Sequence, residues 1–278
     1  CGLDERSLSR GLSKLMELEL LTCHSEVDSS VTRYAFRHSL LQEAAYESLL
    51  LQERRAVHLS IAQLVERDDP ARVAQEPALL ARHYALAGDA HTASRLWLRA
   101  GELAQVRSGH ADAIAYLNEG LRALAALSRT AEDDRLEIEL QCALARSRTS
   151  AEGWGGERVH AAYRRALGLC RNLGDRNKEL EVLSGLCTSL ETRGQLEEAA
   201  ALAREYVEAA ERHAHPVGLQ MAHCAAFMVH FFQGHYFEAQ KHAERVQIYH
   251  RQSEGEHALN VSALDPFVLT QLYDSMCS

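Results

Sequence analysis

Between Pro77 and Pro216 the chain contains no proline at all. A β-sandwich or barrel needs turn residues roughly every 8–12 positions, so an interval of this length is hard to build from strands. Alanine and leucine fill it, and aromatic residues are only 6% of the whole. The fold is predicted to be mainly α. Hydrophobic residues at 46% and charged residues at 25% give the balance of a globular protein. With roughly 150 residues per domain, 278 residues allow one large or two ordinary domains.

Only the first 50 or so residues offer plausible strands. Asp4 can cap a helix whose Leu8, Leu12 and Leu15 share one face. Leu20–Cys23 is a short apolar run and Glu26–Ser30 a polar turn. Val31–His38 then alternates, with Tyr34, Phe36 and His38 on one side, which is read as the inward one. Ser39 with Gln42 makes a capping-box pattern that starts a further helix, carried on by Leu41, Ala45, Ser48 and Leu49. Helix, hairpin, helix is the order found at the end of a winged-helix domain. Another helix, about Gln52–Arg67, leads out of it.

From Pro77 only helical periods appear, and they recur. A Gly or small residue stands five positions before an Ala at Gly88…Ala93, Ser108…Ala113, Gly156…Ala161, Gly194…Ala199 and Gly234…Ala239. The intervals between these alanines are 20, 48, 38 and 40 residues, and spacings near 40 point to stacked helical hairpins. Leu80-Ala81-x-x-Tyr84, Gly88-Asp89 and Ala93-x-x-x-Trp97 with Ala100 match the tetratricopeptide pattern. There, small residues let two helices approach and an aromatic ring fills the hole beside them. Later copies keep the joint and lose the aromatic. The fold class is therefore the end of a winged-helix domain (1–51), a connecting helix and linker (52–76), and an α-solenoid of tetratricopeptide-like hairpins (77–278). The solenoid is expected to be truncated at its C-terminus. There, Asp265-Pro266 opens a helix without a partner, which favours fraying or self-association.

The formal charge of −9 argues against broad nucleic-acid binding, which needs a basic surface. Arg6, Arg10 and Lys14 do form a basic stripe, but Asp4, Glu5, Glu17 and Glu19 share that helix, so a solvated face is favoured. Seven cysteines with no Cys-x-x-Cys give neither a disulfide framework nor a zinc finger. Cys142, Cys170, Cys187 and Cys224 read as small core residues. Fifteen histidines, among them His213, His215, His223 and His230, include no His-Glu-x-x-His, so no metal is expected. Gly153-Trp154-Gly155-Gly156 reads as a joint, and no Gly-x-x-x-x-Gly-Lys-Ser/Thr exists to cradle a phosphate. With no signal peptide and no apolar run near 18 residues, a cytoplasmic protein without a membrane partner is expected. Cys1 in place of Met points to a start inside a longer protein.

The segment from Tyr34 through Leu50, Tyr-Ala-Phe-Arg-His-Ser-Leu-Leu-Gln-Glu-Ala-Ala-Tyr-Glu-Ser-Leu-Leu, resembles one that closes the winged helix in bacterial multidomain signalling ATPases of the STAND type. Arg54, Arg55 and His58 continue the pattern. Gly155-Gly156-Glu157-Arg158-Val159, Ala161-Ala162-Tyr163, Leu173-Gly174-Asp175, Tyr249 and Asp265-Pro266 are similar to their tetratricopeptide-like region. The resemblance implies a non-catalytic regulatory and sensor segment of such an ATPase. It would relay ligand or partner binding on the solenoid to an upstream nucleotide-binding domain and onward to a cyclase output. The alternative output is DNA binding by a transcription activator. ATP or ADP would belong to the full-length protein, with no cofactor in this segment. His38 would contact the ADP phosphate there, as does the histidine of the Met-His-Asp motif in plant immune receptors. Here Ser39 stands where that motif has Asp. The competing reading is a structural histidine. Ligands would bind along a groove near Leu80–Tyr84, Leu183–Leu190 and His223–His230, the alternative, favoured for the leucines, being that these positions mainly pack the hairpins.

Overall fold

A computed structural model describes residues 4–25, 32–127, 129–213, 216–252 and Thr270. Helix α1 (Glu5–Glu17) starts where Asp4 accepts the Ser7 backbone N–H at 2.9 Å. Strands β1 (Leu21–Ser25) and β2 (Thr32–Phe36) pair antiparallel, with Leu21 opposite Phe36 and Cys23 opposite Tyr34. Helix α2 (Ser39–Ser48) follows, then α3 (Leu51–Asp68) and the short α4 (Pro70–Gln75). Helix, hairpin, helix is thus the order that periodicity predicted.

The capping-box reading of Ser39 and Gln42 needs correction. The backbone is still extended at His38 (φ −132, ψ 134), so His38 is the N-cap and Ser39 is already the first helical residue; no side chain caps this helix. The inward reading of Tyr34, Phe36 and His38 also changes. All three are exposed, because no described element covers that face of the hairpin.

The rest is a stack of helices: α5 (Pro77–Ala87), α6 (Ala90–Val106), α7 (His110–Ala125), α8 (Ala131–Glu152), α9 (Glu157–Leu173), α10 (Arg176–Thr192), α11 (Leu196–His213), α12 (Pro216–Phe232) and α13 (Tyr236–Gln252). Pro70, Pro77 and Pro216 each open a helix, where a missing N–H costs nothing and the fixed φ is already helical. Each helix packs mainly on the next, giving an α-solenoid. One joint recurs. Gly88, Ser108, Gly174, Gly194 and Gly234 take positive φ between 59° and 89°. In each case the following N–H returns to the carbonyl five residues back, as in Asp89 to Tyr84 at 3.0 Å and His235 to His230 at 2.9 Å. Gly156 departs from the pattern: its φ is −60, and Gly153 supplies the positive φ at that joint.

The irregular 20-residue interval has a simple cause. The joint at Gly88 joins α5 to α6, and the joint at Ser108 joins α6 to α7, so they lie one helix apart and not one hairpin apart. The 48-residue interval contains the 22-residue α8.

The tetratricopeptide residues gather as their spacing implies. Leu80, Ala81, Tyr84, Ala93, Trp97 and Ala100 form one buried cluster, joined by Ala62 of α3. A larger core runs through α8 to α12, where Gly185 lets the backbone of α10 lie against the buried ring of Tyr163. Cys142, Cys170, Cys187 and Cys224 are buried, and Cys23 is exposed. Asp265-Pro266 and, apart from the helical and buried Thr270, the expected terminal helix with its self-association surface lie outside the described residues.

Candidate functional site

Even- and odd-numbered helices of the stack form two rows. Within the even row α6 meets α8 and α10 meets α12 directly, as α3 meets α5 at the start of the stack. Gln105 of α6 donates to the Ala143 carbonyl and to Ser147 of α8, both at 2.6 Å, and Lys178 of α10 reaches Glu139 of α8 at 3.0 Å.

The segments named for the groove are only partly buried: Arg82 is exposed, and His83, Thr188 and His230 are half-buried. Leu80–Tyr84 belongs to α5, in the odd row, and Leu80, Ala81 and Tyr84 are buried. Leu183, Leu186, Leu190 and Phe227 are buried too. These residues close the hairpins, because apolar side chains beside small ones gain more by interlocking than by facing water. Polar groups gather where α6, α8 and α10 come together. His91 and Arg95 from α6, Glu132, Arg135 and Glu139 from α8, and Asp175 and Lys178 beside α10 line a cavity of about 310 Å³. Leu136 and Ile138 form its apolar part. Burial alone would lower the pKa of Lys178, but its bonds to Glu181 and Glu139 more than offset this and raise it.

His38 stands at the N-terminus of α2 on the open side of the hairpin. A helix N-terminus with free N–H groups favours an anion, and no acidic side chain occupies the first turn here. Leu40, Leu50 and Leu51 nearby in sequence are 75%, 72% and 63% exposed, and Tyr34 and Phe36 are also open. Among the described residues up to 61, only Leu21 is buried.

A polar seam joins this half to the solenoid. The Tyr46 hydroxyl lies 3.0 Å from Nε2 of His58, and Nδ1 of His58 lies 2.9 Å from Nδ1 of His83. The three residues come from α2, α3 and α5. Two Nδ1 atoms at this distance need one N–H donor and one lone pair, so the contact is lost if both rings are doubly protonated. Burial lowers the pKa of both histidines, and for His83 the neighbouring His58 and Arg82 add to it. Arg54 stacks over Tyr46 and donates to the carbonyls of Leu49 and Glu47, fixing the turn between α2 and α3. Nearby, Tyr84 donates to Glu66 at 2.6 Å, and burial together with that carboxylate pushes its phenol up to about 12.

Of the histidines weighed for a metal, His223 and His230 do lie in one cluster. Nδ1 of His223 is 2.9 Å from Nδ1 of His242, and His230 stacks on His242. Burial, then the adjacent ring for each, holds His223 and His242 near 4. Among the described residues no group of three or more His, Cys, Asp and Glu side chains is arranged to hold a metal ion. The thiols of Cys142 and Cys170 are pushed up to about 12 by burial, which suits packing and not nucleophilic attack. The basic stripe Arg6, Arg10 and Lys14 is exposed along α1.

The sequence reading missed the His58–His83 pair and the charged inner cavity. Partners 25 residues apart on separate helices leave no local pattern, and Arg95 and Arg135 look like ordinary surface arginines until the rows are assembled.

No protein-family model matches the chain. An uncharacterised protein of Rhizobium meliloti (strain 1021) is 26% identical over 140 residues, a match that spans 50% of this chain and 14% of that protein. The chain therefore corresponds to a small part of that relative's length. The crystal structure of BtubC (BKLC) from P. vanneervenii is similar with a TM-score of 0.47 and 17% identity, covering 76% of this chain and 94% of that one. Among the described residues no helix is long and apolar enough to cross a membrane.

Proposed function

We propose that this chain is a non-catalytic relay and sensor segment of a STAND-type signalling ATPase. In this reading the solenoid takes up a small ligand or protein partner. The helix–hairpin–helix unit docks on the protein's own upstream nucleotide-binding domain, with ATP or ADP held there and a cyclase as output. One observation carries it: Tyr34, Phe36, Leu40 and Leu50 are left open, all on the segment with His38 whose sequence carries the resemblance, and Leu51 beside it is open too. Uncovered apolar area of this kind marks a surface that another body covers. The Tyr46–His58–His83 seam supports the relay, because it ties that unit to the first hairpin of the solenoid. In this reading the protein works in the cytoplasm.

A second reading keeps the relay and replaces the output by DNA binding. It is favoured only by the exposure of Arg6, Arg10 and Lys14 along α1.

His38→Leu in the full-length protein tests the first reading. A hydrogen bond to a charged phosphate contributes about 1.5–3 kcal/mol, so ADP retention should fall about 10- to 150-fold and basal output should rise. Retention and output both unchanged in a folded variant leave His38 a structural residue and overturn its nucleotide role.

A further inference from the structure

Helix α2 buries no residue and packs chiefly on β2, so loss of apolar surface does not fix it against the solenoid. Three polar contacts take that role. The Tyr46 hydroxyl meets Nε2 of His58 at 3.0 Å, Nδ1 of His58 meets Nδ1 of His83 at 2.9 Å, and Arg54 lies 4.9 Å over the Tyr46 ring. Between α2 and α3 the backbone is extended at Leu49 and Leu50, which gives α2 a short pivot.

The chain of hydrogen bonds has a proton limit. With both rings neutral, Tyr46 donates to His58, whose other nitrogen donates to His83. One added proton is accommodated, because the tyrosine oxygen can accept instead of donating and one Nδ1 keeps its lone pair. A second proton leaves two N–H groups facing each other across 2.9 Å. The charges nearby do not relieve this. Arg82 on α5 bears on His83, and Arg54 on α3 sits at Tyr46 of α2. Glu66, the carboxylate in the same α3–α5 contact, is taken by the Tyr84 hydroxyl at 2.6 Å. Among the described residues neither α4 nor α6, which also pack on α5, sets a carboxylate on either ring.

We propose that Tyr46, His58 and His83 form an acid-sensitive latch between the helix–hairpin–helix unit and the solenoid, closed at neutral pH and opened by mild acid. Burial lowers the pKa of both histidines from 6.5, so the closed form is favoured above 6.5 and loses that advantage as pH falls through the lowered values. Each proton that the closed latch excludes raises the open-to-closed ratio about tenfold between about pH 7.5 and 5.5. The latch stands on these contacts alone; that its opening alters nucleotide retention rests on the relay reading above.

Double electron–electron resonance on the chain tests it. Nitroxides are placed by Glu43→Cys on α2 and Arg99→Cys on α6, both exposed, with Cys1, Cys23 and Cys277 replaced by serine. Cys142, Cys170, Cys187 and Cys224 are buried and stay. One narrow distance is expected at about pH 7.5 and a second, broader population at about pH 5.5, the open-to-closed ratio rising about tenfold or more. In the double variant His58→Gln, His83→Gln the distribution should be the same at both, since glutamine keeps a donor and an acceptor and does not titrate. Circular dichroism checks that the helices persist in acid. An unchanged distribution in the wild-type background, or a double variant that responds to acid as fully, overturns the latch. Opening that passes these controls while ADP retention of the full-length protein stays level over the same window upholds the latch and overturns the relay reading.

Discussion

Replacing Gly185 by alanine should destabilise the protein, although the same change in most helices does the opposite. A Cβ on Gly185 would stand 2.5, 2.6 and 2.9 Å from three ring carbons of Tyr163. The ring cannot swing aside easily, being buried and stacked on Trp154 with centroids 6.4 Å apart. Overpacking of this kind costs about 1–3 kcal/mol, and three contacts under 3.0 Å against a held ring belong at the upper end. Alanine recovers about 1 kcal/mol of helix propensity, leaving a net loss of about 2 kcal/mol. Gly168, in the middle of α9, is the control: it is exposed and a Cβ there meets nothing within 4 Å. Gly168→Ala should stabilise by about 0.5–1 kcal/mol. In a thermal melt the pair should move in opposite directions, Gly185→Ala down by about 4–8 °C and Gly168→Ala up by about 1–4 °C. A rise for Gly185→Ala, or equal shifts for the two, would refute the packing argument.

Two further outcomes concern charge. Glu137 is 9% exposed and takes a bidentate bond from Arg165 at 2.6 and 3.1 Å, with Arg129 adding a third contact at 2.5 Å. Burial would raise its pKa, but the two arginines outweigh that and hold it below 4.5, so its stabilisation is present above pH 4.5 and is lost as pH falls through the lowered value. Glu137→Gln should cost about 2 kcal/mol at pH 7, less than a fully buried pair because the arginines are half open, and the gap in urea midpoint from wild type should narrow as pH falls through the lowered pKa. His223 and His242 have the opposite charge type. Their pKa values fall from 6.5 to about 4, so the unfolded chain binds protons first, and the stability is present above pH 6.5 and lost as pH drops toward 4. His230, Tyr249, Lys241, Arg245 and Glu238 surround the pair. The double variant His223→Gln, His242→Gln should show a flatter dependence of urea midpoint on pH over that window; an unchanged slope counts against the pair.

Sequence pattern reached the helices because a helix face repeats locally. Leu80, Ala81, Tyr84, Ala93, Trp97 and Ala100 could be assigned to one packing unit from spacing alone, and they share one cluster. The joints were legible where glycine marks them, at Gly88, Gly194 and Gly234, and misplaced by three residues where several glycines compete, at Gly153-Trp154-Gly155-Gly156. The shared surface of successive helices was less legible. Which side of a helix turns toward its neighbours depends on the crossing angles between helices, which single-helix periodicity does not encode, so the segments named for the groove mix buried leucines with open positions such as Arg82. The charged cavity depends on the same three-dimensional stacking, since its residues come from positions between 91 and 178.

The recurring left-handed joint has a mechanical consequence. Five turns built alike hold successive helices by short backbone hydrogen bonds and leave the inter-row angle to side-chain packing. Because each helix packs mainly on its sequence neighbours, a change at one joint reaches the rest of the stack only through the interfaces in between, one after another.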